Sequence, residues 1–181
     1  MSDATEACMS KGLLLVFTGD GKGKTTAALG TALRAAGHGM NVLILQFIKG
    51  SWHYGELDAV KRLETVTLRT LGSGFTWQKE NLDEDRRLAR EGWRQAREAV
   101  LSGRYDLVIL DELNIALSYG LLETEPVVQS LQRRPEHVHV IVTGRNAPEA
   151  LVAAADTVTE MTAVKHHFRD QKIPAQKGIE F

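Results

Sequence analysis

The stretch 13-LLLVFTGDGKGKTT-26 decides the fold, because an apolar run leads into a glycine-rich turn and then into Lys-Thr-Thr. Residues 13–18 have the length and composition of a buried strand, and the alanine-rich stretch 25–37 predicts a helix. Glycines between a strand and a helix let successive backbone N–H groups point inward, toward an anion that the helix N-terminus also attracts. The stretch therefore predicts a phosphate-binding site, and we call residues 18–26 the phosphate loop.

The phosphate loop resembles the P-loop pattern G-x-x-x-x-G-K-[ST], in which Lys24 would contact phosphate and the Thr25 hydroxyl would bind Mg²⁺. It departs from the pattern at Thr18, where glycine is usual, and Gly19 comes one residue late. The alternative is a dinucleotide-binding loop, but its third glycine would fall on Lys24, and the acidic residue expected about 20 positions later is absent. The loop predicts binding of a nucleoside triphosphate and not of NAD.

The rest of the chain alternates short apolar runs with helical patterns. Further strands are predicted at 41–48, 65–70 (at an edge of the sheet), 105–112, 137–144 and 157–161. Further helices are predicted at 55–63, 81–101, 125–134 and 147–155. Continuous apolar strands separated by helices are typical of a parallel sheet covered on both faces. We therefore predict an α/β fold, a P-loop NTPase-like (RecA-like), mostly parallel sheet with helices on both faces.

A single domain over residues 1–181 is predicted, with a flexible N-terminus at 1–11. Residues 165–181, which we call the tail, look irregular and are predicted to pack near the active site, with Phe168 and Ile173 as anchors. The alternative is a purely structural tail, which packs over the sheet and takes no part in a site.

Charge and cysteine content exclude several classes of protein. The chain has 22 basic and 23 acidic side chains and a formal net charge of −1, so no basic field favours nucleic acid. Cys8 is the only cysteine, which excludes a disulfide within one chain and fits a reducing compartment. No signal-peptide pattern opens the sequence, and no apolar run approaches the ~20 residues that span a bilayer. We expect a cytoplasmic protein with no nucleic-acid or membrane partner.

Asp111 and Glu112 end the apolar run 105–112 and form the second candidate site. In a P-loop fold this strand lies near the first one, so the carboxylates would face a Mg²⁺ ion beside Thr25. A Glu after such an Asp is also where many ATPases keep the group that orients water. The pair therefore fits metal binding and hydrolysis equally, and Arg145 after the strand 137–144 fits either a phosphate contact or a surface arginine.

Seven segments, in order along the chain, resemble the P-loop type corrinoid adenosyltransferases, the ATP:cob(I)alamin (cob(I)yrinic acid a,c-diamide) adenosyltransferase family. The segments are VFTGDGKGKTTAALGTALRAAGHG, QFIKG, GSGFTWQ, DLVILDELNIAL, VIVTGR, ADTVTEM and VKHHFRDQKIPAQKGIEF. The resemblance implies transfer of the 5′-deoxyadenosyl group of ATP to Co(I) of a reduced corrinoid, with release of triphosphate. That reaction would serve adenosylcobalamin biosynthesis or salvage.

The resemblance also implies roles for individual residues. ATP would bind in reverse sense, so that C5′ projects out of the loop and the triphosphate is held as a leaving group. The ATP contacts implied are Thr18, Gly19, Asp20, Gly21, Lys22, Gly23, Lys24, Thr25, Thr26 and Arg34. The catalytic residues implied are Lys24, Thr25 and Glu112, with Mg²⁺ (Mn²⁺ as an alternative) on Thr25, Asp111 and Glu112.

On the corrinoid side, the resemblance implies contacts from Phe75, Trp77 and Lys49. The two aromatic residues would pack against the lower face of the corrin and displace its axial ligand, which eases reduction of Co(II) to Co(I). A homodimer and a flavoprotein reductase partner are implied by the same analogy. Family members can carry a longer N-terminal segment over the site; about a dozen residues precede the first strand here, so cover would fall to the partner subunit or the tail.

Two other functions stay open from the residues alone. One is a P-loop ATPase or small-molecule kinase, which would release ADP. The other is a non-catalytic ATP-sensing module, with Phe75 and Trp77 as a docking patch for a protein. The sequence does not separate a complete cobalamin from an earlier corrinoid precursor as substrate.

Overall fold

A parallel six-stranded sheet forms the centre of the computed structural model, which describes residues 11–48, 53–71 and 82–181. The strands are β1 (Leu14–Thr18), β2 (Val42–Gln46), β3 (Val66–Thr70), β4 (Leu107–Asp111), β5 (His139–Thr143) and β6 (Thr157–Glu160). Their order is β3-β2-β4-β5-β1-β6, and each neighbouring pair is parallel. The predicted P-loop NTPase-like sheet, with β3 at one edge, is confirmed.

Helices cover both faces of this sheet. They are α1 (Lys24–Gly37), α2 (Gly55–Val60), α3 (Leu82–Leu101), α4 (Leu113–Ser118), α5 (Thr124–Gln132), α6 (Glu149–Ala154) and α7 (His167–Gln171). Alternate strand residues point to opposite faces, so Ile44 and Ile109 pack with α1, whereas Leu45 and Leu110 pack with α3 to α6. The two apolar clusters, one on each face of the sheet, pack the strands and thereby fix the positions of the strand ends. Within the described ranges, no helix combines the length and the apolar character needed to cross a membrane.

Four local features differ from the sequence prediction. The helix predicted at 55–63 ends at Val60, and the short helix α4 was not predicted. The tail is not wholly irregular, because it contains α7, where the His166 side chain accepts the Phe168 N–H at 3.2 Å. Helices of five or six residues are too short to show a clear 3.6-residue period. Phe168 and Ile173 are 59% and 40% exposed, so their prediction as anchors is wrong.

The carboxyl ends of the strands bring polar residues into one row across the sheet. The register pairs Thr70 with Gln46 and Gln46 with Asp111, and Thr143 lies opposite Phe17 at the end of β1. Gln46, Asp111 and Thr143 are each at most 1% exposed, although the strands before them are apolar. This buried polar row lies directly beneath the carboxyl edge of the sheet, where open α/β sheets bind their ligands.

Asp156 ties the start of β1 to the segment before β6. Its carboxylate accepts the Leu14 N–H at 2.8 Å and lies 3.0 Å from Lys11 Nζ and 3.4 Å from Arg134 Nη2. The Leu14 N–H and the two cations lower the pKa of Asp156 below its ordinary value of 3.8. Because the folded-state pKa is depressed, the resulting stability is present above the unfolded pKa and is lost as pH falls through the folded pKa.

We expect Asp156→Asn to lower the free energy of unfolding by about 1 kcal/mol at pH 7. The deficit should shrink as pH falls below ~4, because the wild-type carboxylate is then protonated as well. Urea unfolding at pH 7, 5 and 3 measures this, with Glu64→Gln on the exposed surface as control. A deficit of the same size at all three pH values would contradict an electrostatic role for Asp156.

Candidate active site

A cleft of about 930 Å³ opens at the carboxyl edge of the sheet. Residues 20–26 of the phosphate loop form one wall, and Glu112 with α4 forms another. The start of α2, the turn at 145–146, His166 and residues 178–181 of the tail complete its lining. The cleft thus joins the two sites predicted from sequence and adds the tail to them.

The phosphate loop leans on the backbone that follows β6. The Gly21 N–H donates to the Met161 carbonyl at 2.6 Å, and the Met161 N–H donates to the Thr18 carbonyl at 2.8 Å. A Cβ at Gly19 or Gly21 would lie 2.5 or 2.6 Å from the Met161 oxygen, and Gly19 has φ +91°. Glycine is therefore required at both positions, because the Met161 backbone lies too close for a side chain. The Gly21 N–H stabilises the loop through its hydrogen bond to Met161.

Lys24 lies across the inside of the loop and is only 8% exposed. Its ammonium donates to the Gly19 carbonyl at 2.7 Å and to the Gly21 carbonyl at 2.6 Å. Burial lowers the pKa of Lys24 from its ordinary value of 10.5, and the negative charge of Glu112 partly opposes this. The lysine is thus prepositioned at the loop, with one of its three N–H donors beyond these two bonds.

Asp111 organises the polar row beneath the cleft. Its Oδ1 accepts the Thr25 hydroxyl at 2.8 Å and the Thr143 hydroxyl at 2.7 Å, and its Oδ2 accepts Gln46 Nε2 at 3.2 Å. Because Thr25 donates its proton downward, the lone pairs of its oxygen remain for a ligand. Asp111 therefore orients Thr25 from below, and sequence reasoning missed Gln46 and Thr143 as the residues that hold Asp111.

Glu112 lines the cleft from an uncommon backbone conformation. Its φ and ψ are 63° and 19°, in the left-handed region, which costs an ordinary residue about 1–2 kcal/mol. The Thr143 hydroxyl oxygen accepts the Glu112 N–H at 2.9 Å and helps to fix this turn. Gly144 has φ +127°, and a Cβ there would lie 3.2 Å from Glu112 Oε2 and 2.9 Å from Asn114 Cβ. Thr143 and Gly144 together place the Glu112 carboxylate at the cleft.

The donor set at this point fits Mg²⁺. Thr25 offers hydroxyl lone pairs and Glu112 a carboxylate, both at the cleft lining, with the Asp111 carboxylate below them. Mg²⁺ usually takes one or two such oxygen ligands and completes its shell with phosphate and water. Among the described residues, no group of three or more His, Cys, Asp or Glu lies close enough together to hold a metal ion.

The structure brings most of the predicted site residues together, but not all of them. Asp20, Gly21, Lys22, Gly23, Lys24, Thr25, Thr26 and Glu112 line the cleft. Thr18 lies outside the lining, where its hydroxyl accepts the Ala147 N–H at 3.1 Å, and Gly19 serves as a carbonyl acceptor for Lys24. Arg34 is exposed in the last turn of α1, about 15 Å along the helix from Lys24, and is not part of the lining. Lys49, Phe75 and Trp77 lie outside the described residues.

Two contacts at the mouth of the cleft involve charged residues of the loop. Arg145 Nε lies 3.7 Å from Asp20 Oδ1, and Lys22 Nζ lies 3.2 Å from Glu180 Oε2. The first brings Arg145, considered from sequence as a phosphate contact, to the cleft lining. The second ties the tail to the loop, a contact that no sequence pattern indicated. That the tail packs near an active site stays a prediction.

Comparisons with known proteins cover nearly the whole chain. The model of the family described as ATP:corrinoid adenosyltransferase BtuR/CobO/CobP matches residues 10–181. A corrinoid adenosyltransferase of Pseudomonas aeruginosa is 46% identical over 172 residues, which cover 94% of this chain and 84% of that protein. The corrinoid adenosyltransferase CobA of Salmonella typhimurium is 42% identical over 176 residues, 97% and 89% of the two chains.

Solved structures support the fold alone. The RadB recombinase superposes with a TM-score of 0.53 at 19% sequence identity, covering 87% of this chain and 77% of the recombinase. At this identity the likeness concerns the parallel sheet and its helices and carries no statement about activity.

Proposed function

The chain belongs to the ATP:corrinoid adenosyltransferase family, and from that premise we propose how its described residues carry out adenosyl transfer. It is a transferase whose substrates are ATP and a corrinoid. One observation supports the roles proposed below: the phosphate loop and Glu112 line the same cleft. The ATPase, kinase and sensing alternatives lose their support, since family relatives cover nearly the whole chain.

We propose that the phosphate loop holds the triphosphate as a leaving group. Co(I) of the reduced corrinoid attacks C5′ of ATP, a Co–C bond forms from the cobalt electron pair, and the C5′–O bond breaks. The electron pair of that bond leaves with the triphosphate, so negative charge grows on the oxygen nearest C5′. Lys24 lies buried at the loop, where a fixed positive charge stabilises such growth more than water does. No protein nucleophile or activated water is needed.

Thr25 and Glu112 would hold Mg²⁺, with Asp111 fixing the Thr25 hydroxyl from below. When bound, the ion neutralises triphosphate charge. The protein's own part is to keep the Thr25 lone pairs and the Glu112 carboxylate directed at one point, which the Asp111 and Thr143 hydrogen bonds support. The assignment of Mg²⁺ rests on this donor set and on the resemblance.

The corrinoid side stays a prediction from the resemblance. Phe75, Trp77 and Lys49 are proposed to contact the corrin, and a flavoprotein reductase is proposed to supply Co(I). A homodimer is proposed on the same analogy, and a cytoplasmic location on the single cysteine, which fits a reducing compartment. A complete cobalamin and an earlier corrinoid such as cobyrinate diamide both suit the proposed chemistry.

The test is product analysis under anaerobic conditions. We expect chemically reduced cob(I)alamin and ATP with magnesium to give a light-sensitive alkylcobalt product and an equal amount of inorganic triphosphate. A reaction without corrinoid should leave ATP intact, which is the control for contaminating hydrolysis. Release of ADP, or absence of an alkylcobalt product with both cobalamin and cobyrinate diamide, would overturn the proposal.

A further inference from the structure

We propose that residues 179–181 of the tail form the wall of the cleft that contacts the adenosine part of ATP, with Phe181 as the principal contact. This inference rests on the proposed binding of triphosphate at the phosphate loop. It assigns a substrate contact to a segment outside both sites indicated by the sequence. Three observations carry it: an anchor, a preformed turn and an apolar surface at the cleft.

The anchor is Glu180, which joins the tail to the phosphate loop. Its Oε2 lies 3.2 Å from Lys22 Nζ, and its Oε1 lies 2.6 Å from Nε2 of His167 in α7. The Glu180 side chain is only 15% exposed, unlike the surface pairs on α3. The mostly buried carboxylate is paired with Lys22 and lies against His167, so the residues on either side of Glu180 are placed next to the loop.

The turn around Glu180 is held by backbone hydrogen bonds. The Glu180 N–H donates to the Gln176 carbonyl at 2.9 Å, the Ile179 N–H donates to the same carbonyl at 3.1 Å, and the Gly178 N–H donates to the main-chain oxygen of Phe181 at 2.7 Å. Gly178 has φ +77°, which suits glycine in a tight turn. The turn therefore places Ile179 and Phe181 without an ordering step when a ligand arrives, which saves conformational entropy on binding.

The apolar surface of the tail lies in a cleft whose phosphate-loop wall is polar. Ile179 is 79% and Phe181 44% exposed, and both line the cleft. The phosphate loop offers only lysines, threonines, glycines and Asp20 across residues 20–26. A ligand that fits both walls has a polyanionic end and a flat apolar end, as a nucleoside triphosphate has.

The tail is proposed to contact adenosine and not the corrin, because adenosine is covalently linked to the triphosphate that the phosphate loop holds. A triphosphate held by the phosphate loop keeps its nucleoside within reach of residues that themselves contact that loop, and Glu180 contacts Lys22 directly. The corrin carries no link to the loop. Stacking of a base on an aromatic side chain contributes enough binding energy to make its loss measurable after alanine substitution.

The experiment compares ATP with inorganic triphosphate as probes, by titration calorimetry in magnesium. We expect Phe181→Ala to raise the Kd for ATP about tenfold and to leave the Kd for inorganic triphosphate within twofold, since only the base contact is lost. Phe181→Leu should recover part of the loss. Phe168→Ala is the matched control, because Phe168 is an exposed tail phenylalanine outside the cleft lining, and neither Kd should change.

Each other outcome counts against the inference. Parallel weakening of ATP and triphosphate would mean that the tail acts only through Lys22. A raised KM for the corrinoid with an unchanged Kd for ATP would mean that the wall contacts the corrin. An unchanged Kd for both probes in Phe181→Ala would overturn the contact altogether. Wild-type protein that binds neither probe would instead refute the proposed phosphate site, so the two failures are distinguishable.

Discussion

Lys24→Ala should lower kcat/KM for adenosyl transfer by about 10³-fold, because the substitution removes the buried positive charge beside the leaving group. Lys24 is 8% exposed, and its ammonium lies at the inner side of the phosphate loop. Water that replaces it cannot supply a fixed charge in that place. The measurement is the initial rate of alkylcobalt formation from pre-reduced cob(I)alamin, with the Kd for ATP determined separately.

Two further variants separate charge from structure. Lys24→Ala also leaves the Gly19 and Gly21 carbonyls without their donor, so thermal unfolding should accompany the kinetics. Lys24→Arg keeps the charge but not the shape of the side chain. We expect this variant to lose activity, but to change the Kd for ATP less than Lys24→Ala does. Lys61→Ala on the exposed surface is the control for loss of a lysine elsewhere. Activity of a folded Lys24→Ala protein within tenfold of wild type would contradict the assigned role.

The sheet and the loop could be predicted from sequence because their signals are local and repeated. Each inner strand is a continuous apolar run, and residues 13–26 carry strand, turn and helix start together. The polar row was only half predicted. Asp111 and Glu112 stand out as charges after an apolar strand, whereas Gln46 and Thr143 are neutral and gain their meaning only from the register that sets them beside Asp111.

The individual contacts of the tail could not be predicted from sequence for a different reason. Phe168 and Ile173 were predicted as anchors because apolar residues usually anchor a segment, yet the contact that ties the tail to the loop is the ion pair of Glu180 with Lys22. That pair spans most of the chain, and neither residue has a pattern that points to the other. Long-range pairs of charged residues depend on the folded geometry, and so does the assignment of Phe181 to the cleft.

Asp111→Asn should lower kcat/KM by about 100-fold while leaving the fold intact. The change removes the negative charge beneath Thr25 but keeps the shape of the side chain. Gln46 makes the substitution tolerable. Its Oε1 is buried and has no hydrogen-bond partner among the residues that the structure describes, so a flipped Gln46 amide can accept the new Asn N–H at the place where Nε2 now donates. We therefore expect a free energy of unfolding within about 1 kcal/mol of wild type.

Activity of the Asp111→Asn protein should recover partly at high magnesium concentration, because a weakened ion site is refilled by mass action. The matched control is Asp106→Asn, at the opposite end of β4, about 17 Å away, where the carboxylate accepts the Asn41 N–H at 2.7 Å. Asp106→Asn should leave the magnesium dependence unchanged. If both variants lose activity equally, or if added magnesium recovers none of the loss, Asp111 is a structural residue of the sheet edge and not the group that orients Thr25.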